Sequence, residues 1–348
     1  MRILIVSDTN LINPFTKELQ GLISGFGEVR VDKEQFWQKS NTYDVLLFQW
    51  PEELFHNWNE PSTEELNHLK AVLNWWRPRA KLVIIRHNYH PHYRDSANYA
   101  QLYDIVYAHM DGVIHMGNHS KDEYQSRYQA IALSQKHAVI PHLLFTSFPD
   151  QTNQIEARKK LGIPTTSFIV LIFGALRHKE EIHFAFKNFR RLRIKNKYLL
   201  IAKMPLKKYR GARYIHPIIK MAYVLIPRTK LFFNFQPDDR VQYFFHAADV
   251  VLIPRRAPLN SGNVPLGFAF GKVVIGPKKG NVGEILEETG NPTFDFDDNE
   301  SVKRAVEIGK TLVENNKGED NLVFATNYWG HQNISLKFQD FLKEIVGS

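Results

Sequence analysis

The residues best suited to chemistry lie between Pro258 and Leu286, where two short polar loops each precede a helix-forming segment. Ser261-Gly262-Asn263 precedes an apolar segment, and Lys278-Lys279-Gly280-Asn281 precedes a segment that contains Glu284. Free backbone N–H groups and the helix dipole attract anions to the N-terminus of a helix. Open α/β sheets bind their ligands at the carboxyl ends of the strands. The pattern therefore predicts a site for a phosphorylated ligand.

Two cations upstream could act on the same ligand. Arg177 and Lys179 follow the apolar stretch Phe168–Phe173, which is typical of a strand, so both should lie at its carboxyl end. Fixed cations at that place would stabilise the negative charge on the phosphate oxygens of such a ligand. The alternative interpretation is that both are ordinary surface charges, which is the commoner fate of such residues.

The loop residues also have structural interpretations. Ser261 and Asn263 could simply cap a helix, because their side chains satisfy free N–H groups. Glu284 could be a first-turn acid that the helix dipole stabilises. The presence of both loops and of the cations Arg177 and Lys179 favours pyrophosphate binding by Ser261, Gly262 and Asn263.

Histidines and carboxylates in the first half are candidates for acid–base chemistry. His87 follows the predicted strand Leu82–Ile85, where it could orient a ligand or assist proton transfer. The spacing of His87, His90 and His92 could instead ligate a metal ion, but no second histidine–carboxylate motif accompanies it, and no metal is expected. Carboxylates that could serve as a general base, or as caps and turn residues, are Asp8, Glu52 and Asp95.

The composition describes a globular protein that needs no disulfides. The 348 residues are 43% hydrophobic and contain no cysteine, which excludes cysteine nucleophiles and is compatible with a reducing compartment. The N-terminus lacks the features of a signal peptide, and no apolar run reaches the length of a membrane span. We therefore expect a cytoplasmic protein.

A basic tract breaks the otherwise even distribution of charge. Residues 182–237 contain 14 Lys or Arg and no Asp or Glu, with aromatic and aliphatic residues interspersed. This mixture suits contact with an anionic membrane surface on the inner face of the cell membrane, although a solvated face would also explain it. No RNA-binding motif and no helix-turn-helix pattern is present, so we expect no nucleic-acid partner.

Strands and helices alternate along the whole chain, which predicts parallel sheets covered on both faces. In the first half the pattern predicts strands at Arg2–Val6, Val29–Val31, Val45–Phe48, Leu82–Ile85, Gly112–His115 and Ala138–Ile140. It predicts helices near Phe15–Ser24, Glu64–Trp76, Asn98–Ala108 and Lys121–Leu133. A second series begins after the polar segment Leu143–Gln154, and it includes a strand at Leu231–Phe235.

The fold class predicted is therefore α/β, with two Rossmann-like doubly wound domains that face a ligand-binding cleft. The domains are expected at residues 1–145 and 155–330. A C-terminal helix at residues 331–348 could pack back on the first domain.

Several segments together resemble the GT-B-fold glycosyltransferases, in particular the large retaining family that uses sugar nucleotides. The segment with Gly174, Arg177 and Lys179 is similar to that family's phosphate-binding segment, and Pro265–Lys272 is similar to its "PLEAmacGkP" motif. Further similar segments are Phe235–Pro254, Gly283-Glu284, Gln49–Glu52, Arg86–Asn88, Pro91-His92 and Ile140–His142, the last four resembling bacterial members that assemble exopolysaccharides or glycolipids.

The resemblance implies a metal-independent hexosyltransferase without a cofactor. Its second domain would bind a nucleoside-diphosphate sugar through Gly174, Ser261, Gly262, Asn263 and Glu284, with Glu284 contacting the ribose. Its first domain would bind a saccharide or lipid-linked acceptor and contribute His87. The activity implied is sugar transfer in the assembly of cell-surface polysaccharide.

One departure from the family pattern leaves other functions open. The family's paired glutamates, which contact the donor sugar and the ribose, fall here on Leu259 and Gly267. A non-catalytic relative that binds sugar nucleotides or glycans would fit this loss. A sugar-nucleotide epimerase of the same architecture is the other alternative.

Overall fold

A computed structural model describes residues 1–8, 13–40, 42–89, 96–205, 221, 223 and 225–347, without the side chain of Asn57. The chain forms two compact units. The first comprises Met1–Phe145 and Asn327–Ser348, and the second comprises Thr146–Thr326.

The first unit is built on a six-stranded parallel sheet of order β2-β1-β3-β4-β5-β6. Its strands are β1 (Arg2–Ile5), β2 (Glu28–Val31), β3 (Val45–Phe48), β4 (Lys81–Arg86), β5 (Gly112–His115) and β6 (Lys136–Val139). In the central pair, Val45 of β3 is opposite Lys81 of β4. The central strands are continuously apolar because both faces of the sheet are covered.

Helices cover both faces of this sheet. They are α1 (Pro14–Ile23), α2 (Lys33–Trp37), α3 (Thr63–Trp76), α4 (Ala97–His109), α5 (Asn118–Arg127) and α6 (Gln129–Ala132), with two 3₁₀ turns at Pro51–Leu54 and His56–Trp58. Alternate residues along β3 point to opposite faces. Leu46 and Phe48 pack in a core with α3 and α4, whereas Val45 and Leu47 pack in a core with α1.

The second unit contains another six-stranded parallel sheet, of order β12-β11-β10-β7-β8-β9. Its strands are β7 (Phe168–Ala175), β8 (Lys197–Lys203), β9 (Thr229–Leu231), β10 (Val250–Leu252), β11 (Val273–Pro277) and β12 (Thr293–Phe294). At the centre, Val250 of β10 is opposite Val170 of β7. The strand order reverses between β7 and β10, and such a switch point is where open α/β sheets bind ligands.

The remaining helices follow the same alternation. They are α7 (Gln154–Leu161), α8 (Lys179–Arg191), α9 (Asp238–Ala247), α10 (Asn263–Ala269), α11 (Gly280–Glu288), α12 (Asn299–Glu314), α13 (Lys317–Trp329) and α14 (His331–Val346). Helix α14 belongs to the first unit, where Ile334 and Phe338 pack in the same core as α1. Among the described residues, no helix has both the length and the apolarity that crossing a bilayer requires.

Two predicted elements are wrong in extent. The predicted helix Lys121–Leu133 is two helices, because Tyr128 between α5 and α6 has φ −114° and ψ 37°, outside the helical region. The predicted strand Leu231–Phe235 ends at Leu231. Beyond Leu231, the Phe232 N–H donates to the Ile201 carbonyl and the Met204 N–H donates to the Phe232 carbonyl, while the neighbouring strand β8 ends at Lys203.

Two sequence predictions fall on residues outside the described set. Most of the middle of the basic tract, residues 206–220, 222 and 224, is not described, and neither is the segment 90–95 with His90, His92 and Asp95. The proposed roles of these residues stay predictions.

Candidate functional site

The switch point of the second sheet brings three loops together at the carboxyl ends of β7, β10 and β11. The first runs from Gly174 to His178, the second from Pro254 to Gly262, and the third covers Lys278 and Lys279. The sequence predicted ligand-binding residues in each of these loops. Their positions follow directly from the parallel strand order.

The first loop turns at Gly174, whose φ is +82°. This left-handed conformation favours glycine, and a Cβ at Gly174 would meet nothing within 4 Å, so open space lies beside the backbone here. The Asn263 side chain connects this turn to the second loop, because its Nδ2 donates to the Phe173 carbonyl at 2.9 Å. Gly174 and Asn263, both predicted to bind the donor, therefore lie close together.

A buried carboxylate braces the loop that carries Arg177. Glu181 Oε2 accepts a hydrogen bond from the Arg177 backbone N–H at 2.5 Å, and Glu181 Oε1 pairs with Arg255. Arg255 Nη2 also donates to the Ala175 carbonyl at 2.8 Å. Arg177 itself is half-buried, whereas Lys179 is exposed as the first residue of α8. Neither Glu181 nor Arg255 was identified from the sequence, although an acid in the first turn of a helix is a recognisable signal.

The second and third loops are packed directly on each other. Asn281 N–H donates to the Leu259 carbonyl at 2.8 Å, and Asn281 Nδ2 donates to Asn260 Oδ1 at 2.7 Å. Gly280 has φ +66°, and a Cβ there would lie 2.0 Å from the Pro258 carbonyl oxygen. Only glycine fits this position, because both the backbone conformation and the close approach exclude a side chain.

The remaining predicted donor residues lie beside these contacts. Gly262 precedes the first residue of α10, and the Ser261 hydroxyl accepts a hydrogen bond from the Asn263 N–H at 3.4 Å. This local bond agrees with the capping interpretation of Ser261. Glu284 is half-buried in α11. The structure therefore collects Gly174, Ser261, Gly262 and Asn263 around one end of the sheet, with Glu284 in the helix that follows the third loop.

The two positions that carry glutamates in the family that the sequence resembles are unsuited to a carboxylate here, one because it is buried and apolar and the other because it has no space for a side chain. Leu259 is only 3% exposed and belongs to the buried part of the second loop. At Gly267, a Cβ would lie 2.5 Å from Val274 Cγ2, so this side of α10 is closed against β11.

In the first unit, His87 lies in an aromatic cluster at the carboxyl end of β4. Its ring stacks on Trp50 with 3.9 Å between the ring centroids and meets Phe15 edge-on at 4.6 Å. His142, after β6, also meets Phe15 edge-on, at 5.0 Å. Burial lowers the pKa of His142 to about 4, although a hydrogen bond to the Leu143 carbonyl opposes that shift. Packing by neighbours thus fixes the plane of the His87 ring.

The predicted acids of the first unit have defined partners. Asp8 pairs with Lys33 at 3.0 Å. Glu52 is 2% exposed and accepts a hydrogen bond from the Tyr103 hydroxyl at 2.9 Å. Burial raises the pKa of the Glu52 carboxyl above its usual range. No group of three His, Asp or Glu residues in the described part of the chain could hold a metal ion.

Sequence reasoning missed Glu53, a second buried carboxylate beside Glu52. It is 3% exposed, and the Ser7 hydroxyl donates to its Oε2 at 2.8 Å. Burial and the neighbouring charge of Glu52 raise the pKa of Glu53 to about 7, against the effect of the Ser7 hydrogen bond. Its position after β3, directly beside Glu52, was a signal that could have been used.

Comparison with known proteins found one curated relative and many similar structures. No protein family profile matches the chain. Lipopolysaccharide 1,2-N-acetylglucosaminetransferase from Salmonella typhimurium is 25% identical over 233 residues. The match covers 63% of this chain and 58% of that relative, so the chain spans less than two thirds of the relative's length.

The similar structures cover almost the whole chain. Anabaena HepE in complex with UDP has a TM-score of 0.71 at 14% identity, and the match covers 99% of this chain and 100% of HepE. Sucrose-phosphate synthase from Thermosynechococcus elongatus has a TM-score of 0.67 at 13% identity, with 99% of each chain covered. The catalytic domain of starch synthase IV from Arabidopsis thaliana, bound to ADP and acarbose, has a TM-score of 0.61 at 10% identity, covering 98% of this chain and 79% of that one.

These similarities agree with the two parallel six-stranded sheets and their flanking helices. The predicted α/β class with two doubly wound units is confirmed, and the chain has the fold of the GT-B glycosyltransferases.

Proposed function

We propose that this protein is a glycosyltransferase that moves a sugar from a nucleoside-diphosphate sugar to a saccharide or glycolipid acceptor in cell-surface polysaccharide assembly. The proposal rests on the observation that hydrogen bonds connect three loops at the switch point of the second sheet. Asn263 bonds to the Phe173 carbonyl, and Asn281 bonds to the Leu259 carbonyl. The Salmonella relative and the HepE complexes with UDP and UDP-glucose support the same chemistry.

The donor would bind with its diphosphate on the loops of Gly174 and Ser261-Gly262-Asn263. The open space beside Gly174 would let phosphate oxygens approach the backbone, which a side chain would prevent. Glu284 would accept hydrogen bonds from the ribose hydroxyls. We propose UDP as the first nucleotide to test, because the structures of HepE are complexes with UDP and UDP-glucose.

Arg177 and Lys179 would stabilise the leaving diphosphate. Both residues follow β7 in the chain, which supports a role at the carboxyl end of this sheet. Fixed cations placed where charge develops lower the barrier, which makes transfer without a metal ion or cofactor chemically reasonable. We propose a metal-independent hexosyltransferase on this basis.

The first unit would bind the acceptor. His87, held by Trp50 and Phe15, would orient a sugar or assist proton transfer, and Asp8 or Glu52 would be the base if the enzyme inverts. If the acceptor is linked to a lipid, the basic tract 182–237 would favour binding of the protein to the anionic inner face of the cell membrane.

A second candidate function is sugar-nucleotide or glycan binding without transfer. The specific observation in its favour is the absence of carboxylates at Leu259, which is buried, and at Gly267, where close packing leaves no space for a side chain. Such a protein would bind the donor but neither transfer nor hydrolyse its sugar.

A thermal-shift panel of nucleoside diphosphates and sugar nucleotides tests the proposal. A ligand that binds only the folded protein raises its melting temperature by mass action, so the panel identifies the base. Arg177→Ala and Lys179→Ala are expected to reduce the shift. The matched control is Lys187→Ala, an exposed lysine further along the same helix as Lys179.

Turnover distinguishes the two candidates. We expect release of the free nucleoside diphosphate in the presence of an acceptor, at a rate that a chelator does not change. Binding without turnover would favour the non-catalytic candidate, and conversion of the free sugar nucleotide without an acceptor would indicate an epimerase. Donor binding and turnover that survive both alanine substitutions would contradict the assigned site.

A further inference from the structure

The β9 edge of the second sheet carries large apolar side chains that are exposed. In the strand order of that sheet, β9 is the last strand and pairs with β8. The segment before β9 exposes 62% of Met221 and 72% of Leu225, and the loop after it exposes 70% of Phe235. Single exposed apolar residues are ordinary, whereas a group of them at one edge marks an interaction site.

The segment before β9 is apolar on both of its sides. The Leu225 N–H donates to the Met221 carbonyl at 3.1 Å, so these two residues are one helical turn apart on the exposed side. Tyr223 and Ile226 face the other way and pack against the core of the second unit, where the Tyr223 ring stacks on Phe186 at 6.1 Å. A helical turn with one buried side normally presents polar residues to water. Apolar residues on the outer side therefore indicate a second apolar environment.

An aromatic contact connects this segment to the loop after β9. The Tyr223 ring lies 6.4 Å from the ring of Phe233, two residues before Phe235. The ammonium of Lys203, at the end of β8, lies 5.5 Å from the centroid of the Phe235 ring. An exposed ring with a long basic side chain beside it suits the boundary between lipid headgroups and acyl chains, because the ammonium can stay at the headgroups while the ring is buried.

The cations of this edge are not neutralised by the protein itself. Residues 182–237 contain no Asp or Glu. Within the described part of that tract, the only Lys or Arg in an ion pair is Arg191, which pairs with Glu300. The described cations without a carboxylate partner are Lys187, Arg190, Arg193, Lys195, Lys197, Lys203, Arg228 and Lys230.

Two of these cations are close enough to repel each other. Burial and, in addition, the neighbouring charge of Arg228 lower the pKa of Lys197 below its usual value. Crowded like charges destabilise a protein unless a partner of opposite charge binds there. We call the group formed by these residues and the exposed apolar ones the edge surface; it comprises Met221, Leu225, Phe235, Lys197, Lys203 and Arg228.

The combination of charge and apolar side chains selects among possible partners. In a two-fold symmetric dimer built on the edge surface, the same cations of both copies would face each other and repel. A nucleic acid would neutralise the cations but would leave the aliphatic Met221 and Leu225 without an apolar partner. A bilayer with anionic headgroups provides both the negative charge and the apolar phase.

We propose that the edge surface docks the second unit on an anionic phospholipid bilayer, with Met221, Leu225 and Phe235 inserted at the headgroup boundary. The inference deepens the proposed function, on which it rests for the purpose of the contact. It names the side chains that enter the bilayer and assigns the contact to the unit that would bind the donor.

Flotation of the full chain with vesicles tests the docking. We expect binding to phosphatidylcholine mixed with phosphatidylglycerol, weaker binding at high salt, and no binding to phosphatidylcholine alone. Arg228→Glu should weaken binding by roughly tenfold or more, since each basic residue near an anionic surface contributes about a fivefold gain in affinity. The combined change Met221→Ser and Leu225→Ser should weaken it by about tenfold. The matched controls are Lys159→Glu and Leu336→Ser, exposed residues outside the edge surface.

A fluorescent probe tests insertion separately from attraction. Because the chain contains no cysteine, Leu225→Cys provides a single site for an environment-sensitive fluorophore. Its emission should shift to shorter wavelength when the mixed vesicles are added, whereas the same fluorophore at Leu336→Cys should show no shift.

The proposal is overturned if the protein does not bind the mixed vesicles, or if the serine variant binds them as tightly as Leu336→Ser does. Binding to an oligonucleotide or to heparin without binding to vesicles would also overturn it, as would self-association that the serine changes abolish. The nucleotide-dependent thermal shift should be unchanged in all of these variants. If no nucleotide binds while the vesicle results are as expected, the proposed function fails and the docking surface stands.

Discussion

The packing around Gly267 excludes the side chain that would carry a function at this position. Its position corresponds to a glutamate in the family that the sequence resembles, yet the backbone of α10 approaches β11 so closely that a Cβ would lie 2.5 Å from Val274 Cγ2. Leu259 adds a second apolar substitution in the same region. A carboxylate cannot be restored at Gly267 without displacing Val274 or the backbone, so donor contacts must come from other residues if transfer occurs.

We expect Gly267→Ala to lower the free energy of unfolding by about 1–3 kcal/mol, because overpacking forces a shift of the backbone or of Val274. Val274→Ala removes the opposing methyl groups, so the added cost of Gly267→Ala should largely disappear in that background. Urea denaturation of the four proteins measures the coupling. If Gly267→Ala lowers the free energy of unfolding equally in the unchanged protein and in Val274→Ala, the contact with Val274 is not what excludes a side chain at Gly267.

Glu53 is a residue whose environment predicts a pH dependence of stability. Its pKa is raised to about 7 in the folded protein from an ordinary value of 4.5. Between these pH values the folded protein binds more protons at Glu53 than the unfolded chain does. Stability therefore falls as the pH rises through this range, by at most about 3 kcal/mol, and no further loss from Glu53 follows above it.

Glu53→Gln is expected to remove this part of the pH dependence. Glutamine keeps an oxygen that can accept from the Ser7 hydroxyl, and it carries no charge to bury. The variant should equal the unchanged protein near pH 5 and exceed its melting temperature at pH 8. Melting curves across that range measure the difference. A constant offset at all pH values would mean that Glu53 titrates normally.

Among the elements, the start of α8 shows how a helix positions a loop. Glu181 accepts from the Arg177 N–H and pairs with Arg255, which in turn donates to the Ala175 carbonyl. One carboxylate thus connects the loop after β7 with the loop after β10. Its neighbour Glu180 is exposed and pairs with Arg256 at the surface.

Glu181→Ala should therefore do much more than Glu180→Ala. Removing one partner of a buried pair leaves the other uncompensated and costs about 3 kcal/mol or more, whereas an exposed pair contributes about 0–1 kcal/mol. Nucleotide binding should weaken as well, since the Arg177 loop loses its brace. Denaturation and thermal-shift measurements on both variants check this. Similar effects in the two variants would contradict the bracing role.

The sequence predicted the elements better than it predicted the contacts between them. Periodicity and apolar runs located β3 and β5 at their observed bounds, because buried parallel strands have an uninterrupted apolar signal. The short helix α2 was missed, although Asp32 is a cap signal. The proximity of Gly174 and Asn263 could be predicted from the strand order. The Glu181–Arg255 ion pair could not, because it depends on tertiary packing and no local sequence pattern indicates it.

At the scale of the whole molecule, the first unit is assembled from both ends of the chain. Residues Asn327–Ser348 return to it after the second unit is complete. The apolar face of the last helix packs in the core that includes β1 and α1, through Ile334, Phe338, Phe341 and Ile345. The first unit therefore lacks part of its core until the last residues of the chain have joined it.

Phe338→Ala tests this dependence, with Leu336→Ala as the matched control on the same helix. Phe338 is 2% exposed and Leu336 is 51% exposed. Truncation of a buried phenylalanine costs about 3–5 kcal/mol, whereas an exposed leucine should cost little. Hydrogen exchange should show faster exchange in β1 and β5 for Phe338→Ala and unchanged protection in β7, because the core that contains Phe338 is made entirely of first-unit residues. If protection falls equally in β7, the two units unfold together and the last helix stabilises the molecule as one cooperative whole.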